Sequence, residues 1–321
     1  MIGMLARAAE NIYWLGRYLE RAESAARITQ CMDQLSLEIR GLDADLAVNI
    51  WTNLQDMFPG SIVKTSDAPS LDEITEQSLR SFLMSYDNQL SVAYSIRSAR
   101  ENARVIRENL TRETFVLLNE CHLRLQSYTP QTGLNMMEMR SILSSIRQEI
   151  FGIQGAIKQT FTRDEGLLFL DMGSVMERAY RTLLLLSVKL PFMLSATDQV
   201  DLPVYYARIR AALKAVASLE NYRRNHGADL DPKRVARFLL FDRRTPHSVH
   251  VCLRELKQHL EELEIGAPLT NPARMLGKIT ARLEYEEQEI LAGSNLDVTC
   301  QKLATDINEV HDAISRLYFT V

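Results

Sequence analysis

The stretch AAENIYWLGRYLERAE, residues 8–23, is echoed later in the chain by GSVMERA, residues 173–179. Both contain the string Gly-x-x-apolar-Glu-Arg-Ala, and the glutamates Glu20 and Glu177 are separated by 157 residues. Around each glutamate the apolar residues recur at intervals of three or four, which is the spacing of one face of an α-helix. The two stretches therefore predict a pair of related helices, each of which carries adjacent opposite charges in an apolar setting.

The offset of 157 residues recurs at three further places in the chain. It aligns residues 80–84 with 237–241, Ser91-Val92 with Ser248-Val249, and the apolar positions of 150–161 with those of 307–318. Repeated units that cannot bury their apolar faces alone stack on one another and share a core. We therefore predict an all-α fold in which a unit of about five helices is duplicated in tandem. The first repeat, residues 1–157, and the second, residues 158–321, are expected to pack as one pseudo-twofold helical bundle with a shared core.

Apolar periodicity and capping signals predict where the helices begin and end. No stretch alternates with a period of two, so strands are not expected. In the first half the predicted helices are 4–40, 43–57 (stopped by Phe58-Pro59-Gly60), one opened by a capping box at Ser70 to Glu73, one from Asp87 or Asn88 through Leu125, and 136–161. In the second half they are 167–190 (closed by Pro191), 204–224, a short helix opened by Pro232 and ending near Phe241, one opened by Pro246 and ended by Gly266-Ala267-Pro268, and two more from Asn271 to the end.

Composition excludes several classes of protein. The 321 residues are 46% hydrophobic and 24% charged, which is typical of soluble globular chains. A net charge of −4 argues against a nucleic-acid-binding protein, and the most apolar stretch, residues 183–190, is too short to span a membrane. Four widely spaced cysteines and the lack of a secretory signal indicate a reduced, cytoplasmic protein.

The Glu-Arg pairs admit two interpretations. In the first, Glu20 pairs with Arg178 and Glu177 with Arg21, so that buried ion pairs hold the two halves in register. In the second, the same charges form a ligand site or a catalytic site.

A glycine lies one turn before each glutamate of these pairs, at Gly16 and Gly173. Glycine inside a helix is less favourable than alanine by about 1 kcal/mol. We therefore expect each glycine to permit the close approach of another backbone or of a ligand.

A second charged constellation comprises Arg97, Arg100, Glu101, Asn102 and Arg104. On one continuous helix, Arg97, Glu101, Arg104 and Glu108 would form a single face of alternating charge. The corresponding residues of the second half, 254–261, do not keep the pattern. A feature present in only one half indicates a specific site or partner contact, while an ordinary solvated face is the alternative.

Sequence motifs for cofactor chemistry are missing. The chain contains no Walker A loop, no G-x-G-x-x-G, no G-x-S-x-G and no H-E-x-x-H motif. His247 and His250 lack a third ligand at helical spacing, so a metal site is not predicted. We expect this chain to bind no cofactor of its own.

Residues 8–23 resemble the opening signature of the bacterial alpha-E domain family, as do ARENAR at 99–104, MERA at 176–179 and the helix start at Pro246 to Val249. The resemblance implies an all-helical protein found beside, or fused to, a circularly permuted ATP-grasp protein, often near a transglutaminase-like protein and sometimes near a proteasome-like peptidase. It also implies that ATP and Mg²⁺ are bound by the ATP-grasp partner, which is expected to form amide bonds. The second half departs from the family at residues 256–259, which argues against two symmetric sites.

Three functional hypotheses follow. The first is a non-catalytic helical partner of an ATP-grasp amide ligase, which binds the ligase or its carboxylate-bearing peptide substrate or product. The second is an enzyme in which Glu20 or Glu177 acts as a general base, and the third is a purely structural scaffold. Self-association into a homo-oligomer is compatible with all three. The candidate binding residues are Arg17, Glu20, Arg21, Arg97, Arg100, Glu101, Asn102, Arg104, Glu177 and Arg178.

Overall fold

The computed structural model describes residues 4–56, 70–128, 133–194, 202–264, 270–292 and 295–320, and within these ranges it contains helices and no strands. The predicted all-α fold is confirmed. The helices are α1 (Ala6–Ile39), α2 (Ala44–Asp56), α3 (Leu71–Met84), α4 (Val92–Val105), a 3₁₀ turn (Arg107–Asn109), α5 (Arg112–Ser127), α6 (Met136–Thr160), α7 (Glu165–Leu194), α8 (Leu202–Ala215), α9 (Leu219–His226), α10 (Pro232–Phe241), α11 (Val249–Leu263), α12 (Asn271–Tyr285), α13 (Glu287–Ala292) and α14 (Leu296–Tyr318).

The chain forms two compact units. Unit 1 comprises Met1–Arg17, Thr162–Asp198 and Ala217–Val321, and unit 2 comprises Tyr18–Phe161 and Gln199–Val216. Each unit therefore takes in a segment from the other half of the sequence. The repeats at 1–157 and 158–321 concern sequence ancestry and stay a prediction.

Each unit is a helical bundle around an apolar core. In unit 1, α7 packs against α10, α11 and α14, and α12 contacts both α11 and α14. In unit 2, α5 packs against α4 and α6, and α3 contacts α2, α4 and α6. In most helices the core positions follow the predicted three- and four-residue spacing, whereas α1 is buried on nearly all sides over residues 22–29.

Two predicted long helices are interrupted in the structure. The helix expected to run through Leu125 ends at Val105, and Thr111 starts α5 by accepting the N–H of Thr114 on its hydroxyl oxygen. The helix expected over 204–224 ends at Ala215, two residues before Ala217 adopts a left-handed φ of 49°. In both cases a cap or a tertiary contact overrides a local preference for helix.

Other predicted boundaries are corrected or confirmed by the hydrogen bonds at the helix ends. α4 is capped by Ser91 and not by Asp87 or Asn88, and the capping box at Ser70 is confirmed. The backbone of α7 continues past Pro191 to Leu194, so this proline does not close the helix. The predicted stop at residues 58–60 lies outside the described residues.

Two loops at equivalent positions of the sequence have the same hydrogen-bonding pattern. The hydroxyls of Ser91 and Ser248 donate to the carbonyl oxygens of Ser85 and Asp242, respectively. Each of these hydroxyls also accepts the backbone N–H three residues further on, in the first turn of α4 or α11. The two serines are 157 residues apart. This likeness is what a duplication predicts, although the duplication itself stays a prediction.

Candidate functional site

In unit 1, α1 and α7 approach each other closely at two glycines. A Cβ atom on Gly16 would lie 2.1 Å from the carbonyl oxygen of Leu170, and one on Gly173 would lie 2.1 Å from that of Tyr13. Ser174 Oγ also donates to the carbonyl oxygen of Gly16 at 3.3 Å. The expectation that these glycines allow close approach of a backbone is confirmed.

Glu177 is enclosed beside this crossing by two arginines. Its Oε2 accepts Arg17 Nε at 2.9 Å and Nη2 at 2.8 Å, and its Oε1 accepts Arg181 Nε at 2.9 Å and Nη2 at 2.7 Å. The Glu177 side chain is 0% exposed. Four N–H donors on two oxygens satisfy a buried carboxylate, which is the arrangement that makes burial of a charge tolerable.

Arg17, the predicted candidate next to Gly16, is held by further contacts. Burial lowers the pKa of its guanidinium, but Glu177 and Tyr13 outweigh this effect and the pKa of Arg17 lies above its ordinary value. The guanidinium also lies 5.0 Å from the ring of Trp14, which adds a cation–π contact.

The sequence did not single out Arg181, although its position four residues after Glu177 is a signal for a helical ion pair. The predicted pairings of Glu20 with Arg178 and of Glu177 with Arg21 stay predictions. Glu20 is buried, whereas Arg21 and Arg178 are half-buried.

In unit 2, a second buried charge cluster continues along α1 and also escaped the sequence analysis. Glu23 pairs with Arg27 and accepts Arg147 Nε and Nη2 at 3.3 Å. Burial raises the pKa of Glu23, and the charge of the nearby Glu20 raises it further. Arg27 Nε in turn donates to the carbonyl oxygen of Ala215 at 2.9 Å, at the end of α8.

A partly exposed surface of unit 2 brings predicted residues of α1 and α4 together. We call it the arginine–tyrosine surface and define it by Tyr18, Arg21, Tyr86, Tyr94 and Arg97. The Arg97 guanidinium lies 4.5 Å from the Tyr86 ring and 5.3 Å from the Tyr94 ring. Tyr94 contacts Tyr18 edge to face at 6.4 Å, and Arg21 lies 5.1 Å over Tyr18. Alternation of guanidinium and phenol groups holds both arginines by cation–π contact.

The charged face of α4 continues this surface. Arg100 Nη1 donates to Glu101 at 2.6 Å and its Nε to Asn119 at 3.2 Å. Arg104 Nη2 lies 3.1 Å from Glu101, and the hydrogen bond from Arg100 lowers the pKa of Glu101. Asn102 is half-buried on the same helix.

The predicted extension of this face to Glu108 is wrong. α4 ends at Val105, and Glu108 lies in the following 3₁₀ turn (Arg107–Asn109). A change of helical register after Val105 breaks the i+11 relation on which that prediction depended.

His122 of α5 lies behind the α4 face. It is 5% exposed, and its Nδ1 has no hydrogen-bond partner among the described residues. Burial lowers its pKa, and Arg100 and Arg97 lower it further. The positive charges of Arg97 and Arg100 therefore act on this imidazole.

The arginine–tyrosine surface is specific to one half of the chain. Adding 157 to each number shows that both of its arginines are matched by arginines, Arg178 and Arg254, but that its three tyrosines are replaced. The residues corresponding to Tyr18, Tyr86, Tyr94, Arg97, Glu101 and His122 are Val175, Arg243, Val251, Arg254, Gln258 and Ile279. The difference between the two halves that the sequence predicts is thus also found in the residues that form this surface.

The described residues form neither a candidate metal cluster nor a membrane-spanning helix. Among the described residues, no group of three or more His, Cys, Asp or Glu side chains could hold a metal ion. No helix in that part of the chain is long and apolar enough to cross a membrane. All four cysteines are free thiols, and Cys121, Cys252 and Cys300 are buried.

Comparison with known proteins places the whole chain in one family. The Alpha-E model, described as a predicted alpha-helical domain with a conserved ER motif, matches residues 4–319. One uncharacterized protein of Mycobacterium bovis and another of Mycobacterium tuberculosis are each 24% identical to the chain over 321 residues, which is 96% of this chain. The chain spans only 35% of the length of these relatives. No solved structure matches it.

Proposed function

The chain belongs to the Alpha-E family, and we propose that it is a non-catalytic helical partner of an ATP-grasp amide ligase. In this proposal it binds the ligase, or the carboxylate-bearing peptide that the ligase consumes or produces, in the cytoplasm. ATP and Mg²⁺ would be bound by the ligase, and a transglutaminase-like protein would be a second partner. The family resemblance supports the ligase context, and the arginine–tyrosine surface supports carboxylate binding.

The environment of Arg97 is the observation that carries the proposal. Its guanidinium is stacked near two tyrosine rings, and no carboxylate of a described residue lies within salt-bridge distance of it. A stacked guanidinium keeps its in-plane N–H donors, which match the two oxygens of a carboxylate. Because the rings already restrain the side chain, less conformational entropy is lost when a ligand binds.

The rest of the α4 face adds positive charge around Arg97. Arg100 and Arg104 share the single carboxylate of Glu101, so three guanidinium groups face one acidic group. Such an excess attracts acidic peptides and raises their association rate. The surface is therefore suited to a peptide with more than one carboxylate.

The geometry around the glutamates gives less support to the alternative of an independent enzyme. A general base must reach the proton that it removes. Glu177 is enclosed by Arg17 and Arg181 and is not exposed, and Glu20 is 2% exposed. These carboxylates fit a structural role.

The proposal is tested by mixing the purified chain with the circularly permuted ATP-grasp protein of the same organism. Complex formation is measured by calorimetry, and amide formation is measured with ATP, Mg²⁺ and an acidic peptide. We expect Arg97→Ala to weaken binding of the ligase or peptide by roughly tenfold or more, since a hydrogen bond to a charged group is worth about 1.5–3 kcal/mol.

Arg254→Ala is the matched control. Arg254 is the same residue type at the equivalent position of α11, is exposed, and has Val251 where Arg97 has Tyr94. Its loss should leave binding unchanged. If the wild-type chain neither binds the ligase or peptide nor alters the ligase rate, the proposal fails.

A further inference from the structure

A separate basic cleft lies in unit 1, between the end of α10 and the start of α13. Its volume is about 420 Å³, and four arginines line it: Arg234, Arg237, Arg243 and Arg244. This volume is in the range of small-molecule sites. Two acidic groups, Asp242 and Glu287, share the lining, so guanidinium groups outnumber carboxylates two to one.

The four arginines fall into two classes. Arg234 lies 2.5 Å from Asp229, and Arg237 lies 2.5 Å from Glu287. Arg243 and Arg244 are exposed, and neither forms a salt bridge with a residue in the described ranges. We call Arg243 and Arg244 the rim of the cleft. The positive charge that no salt bridge neutralises is therefore concentrated at this rim.

Asp242 forms no salt bridge with Arg243 or Arg244, and its carboxylate is held by the backbone. Its Oδ1 accepts the N–H of Arg244 at 2.9 Å and that of Thr245 at 2.7 Å. Burial raises the pKa of Asp242, but these hydrogen bonds and the charge of Arg244 bring it below its ordinary value. The bonds fix the backbone from which Arg243 and Arg244 project.

The floor of the cleft is aromatic. Phe238 and Phe241 line it and are 3% and 7% exposed. The exposed ring of His226 packs at 4.8 Å on Tyr222 and at 5.7 Å on the edge of Phe238. A flat organic body could pack against the exposed ring of His226 on this floor while anionic groups reach the rim.

The cleft is not a requirement of the fold. At the offset of 157 residues, the first half replaces both the rim arginines and the phenylalanines. The positions equivalent to Arg234, Phe238, Phe241, Arg243 and Arg244 hold Gln77, Ser81, Met84, Tyr86 and Asp87. Helix α3 nevertheless forms there with an ordinary cap.

We propose that this cleft binds an organic phosphate, a small molecule with a phosphate or diphosphate group and a flat body. A phosphate offers more charge and more acceptor oxygens than a carboxylate, which matches several guanidinium groups at once. The aromatic floor takes the organic part. The site lies in unit 1, apart from the arginine–tyrosine surface of unit 2, and does not depend on the function proposed above.

The test is calorimetric titration of the chain with ADP, inorganic pyrophosphate and adenosine at 0.15 M salt (about 8 Å screening length). We expect saturable binding of ADP that is tighter than binding of either other probe. The double variant Arg243→Ala/Arg244→Ala should weaken ADP binding by about tenfold or more. Both side chains are exposed, so an unchanged unfolding midpoint will show that the variant is folded.

Lys233→Ala is the control, because it removes one exposed cation from α10 outside the lining. It should leave ADP affinity unchanged. The proposal is overturned if ADP does not bind, if the double variant binds like wild type, or if Lys233→Ala weakens binding equally. If pyrophosphate binds as tightly as ADP, the aromatic floor has no role in binding. If adenosine binds as tightly as ADP, the arginines of the rim have no role. Either result also overturns the proposal.

Discussion

Glu177 shows at the scale of one residue how an apolar helix retains a charge. Removing a carboxylate from water is costly, and a single partner rarely compensates. Here two guanidinium groups supply two N–H donors to each oxygen. Arg17 and Arg181 are thereby held on different oxygens of one buried carboxylate.

Glu177→Gln should lower the stability of the protein clearly. The change removes the carboxylate that two buried guanidinium groups contact, and breaking such a pair costs on the order of 3–5 kcal/mol. Thermal and denaturant unfolding measure the effect. Glu76→Gln is the control, because Glu76 and Arg80 form a partly exposed pair whose loss should cost at most about 1 kcal/mol. An unchanged midpoint for Glu177→Gln would mean that the carboxylate is retained for function.

At the scale of the element, the crossing of α1 and α7 depends on the missing side chains of two glycines. The contacts are reciprocal: Gly16 faces Leu170, and Gly173 faces Tyr13. Each carbonyl is offset from its counterpart by the same 157 residues. Each glycine thus lowers the local stability of its helix but allows a close tertiary contact between the two backbones.

Gly16→Ala and Gly173→Ala should both destabilise the protein, although alanine favours a helix. A Cβ 2.1 Å from a backbone oxygen forces the helices apart, and overpacking of this kind costs about 1–3 kcal/mol. Gly152→Ala and Gly155→Ala in α6 are the controls, since a Cβ there meets no atom within 4 Å. They should raise the free energy of unfolding by up to about 1 kcal/mol. If the free energy of unfolding changes with the same sign at all four positions, the close contact of α1 and α7 at Gly16 and Gly173 is contradicted.

At the scale of the whole molecule, the compact units do not coincide with the halves of the sequence. Unit 1 needs the start of α1, which supplies Gly16 and Arg17, and unit 2 needs α8, whose Ala215 accepts a hydrogen bond from Arg27. Dividing the chain at the predicted repeat boundary removes a packed helix segment from each unit.

Fragments 1–157 and 158–321 should therefore fail to fold cooperatively when they are expressed separately. Circular dichroism and denaturant unfolding should show reduced helicity and broad transitions for each fragment, and mixing should restore a cooperative transition. A sharp transition for either half alone would show that the exchanged segments are dispensable.

The sequence by itself determined the helical class, most helix positions and the role of the two glycines. Those features depend on apolar spacing, caps and backbone sterics, which act over a few neighbouring residues. It also located Arg97, Arg100, Glu101 and Arg104, because adjacent charges of this kind are visible as a pattern.

Only the tertiary structure decided which charges meet and which segments share a core. The partners of Arg97 are Tyr86 and Tyr94, and one of the partners of Glu177 lies 160 residues away at Arg17. The end of α8 at Ala215 likewise lies where a hydrogen bond from the distant Arg27 meets the backbone. Such contacts join residues distant in sequence, and no local pattern encodes them.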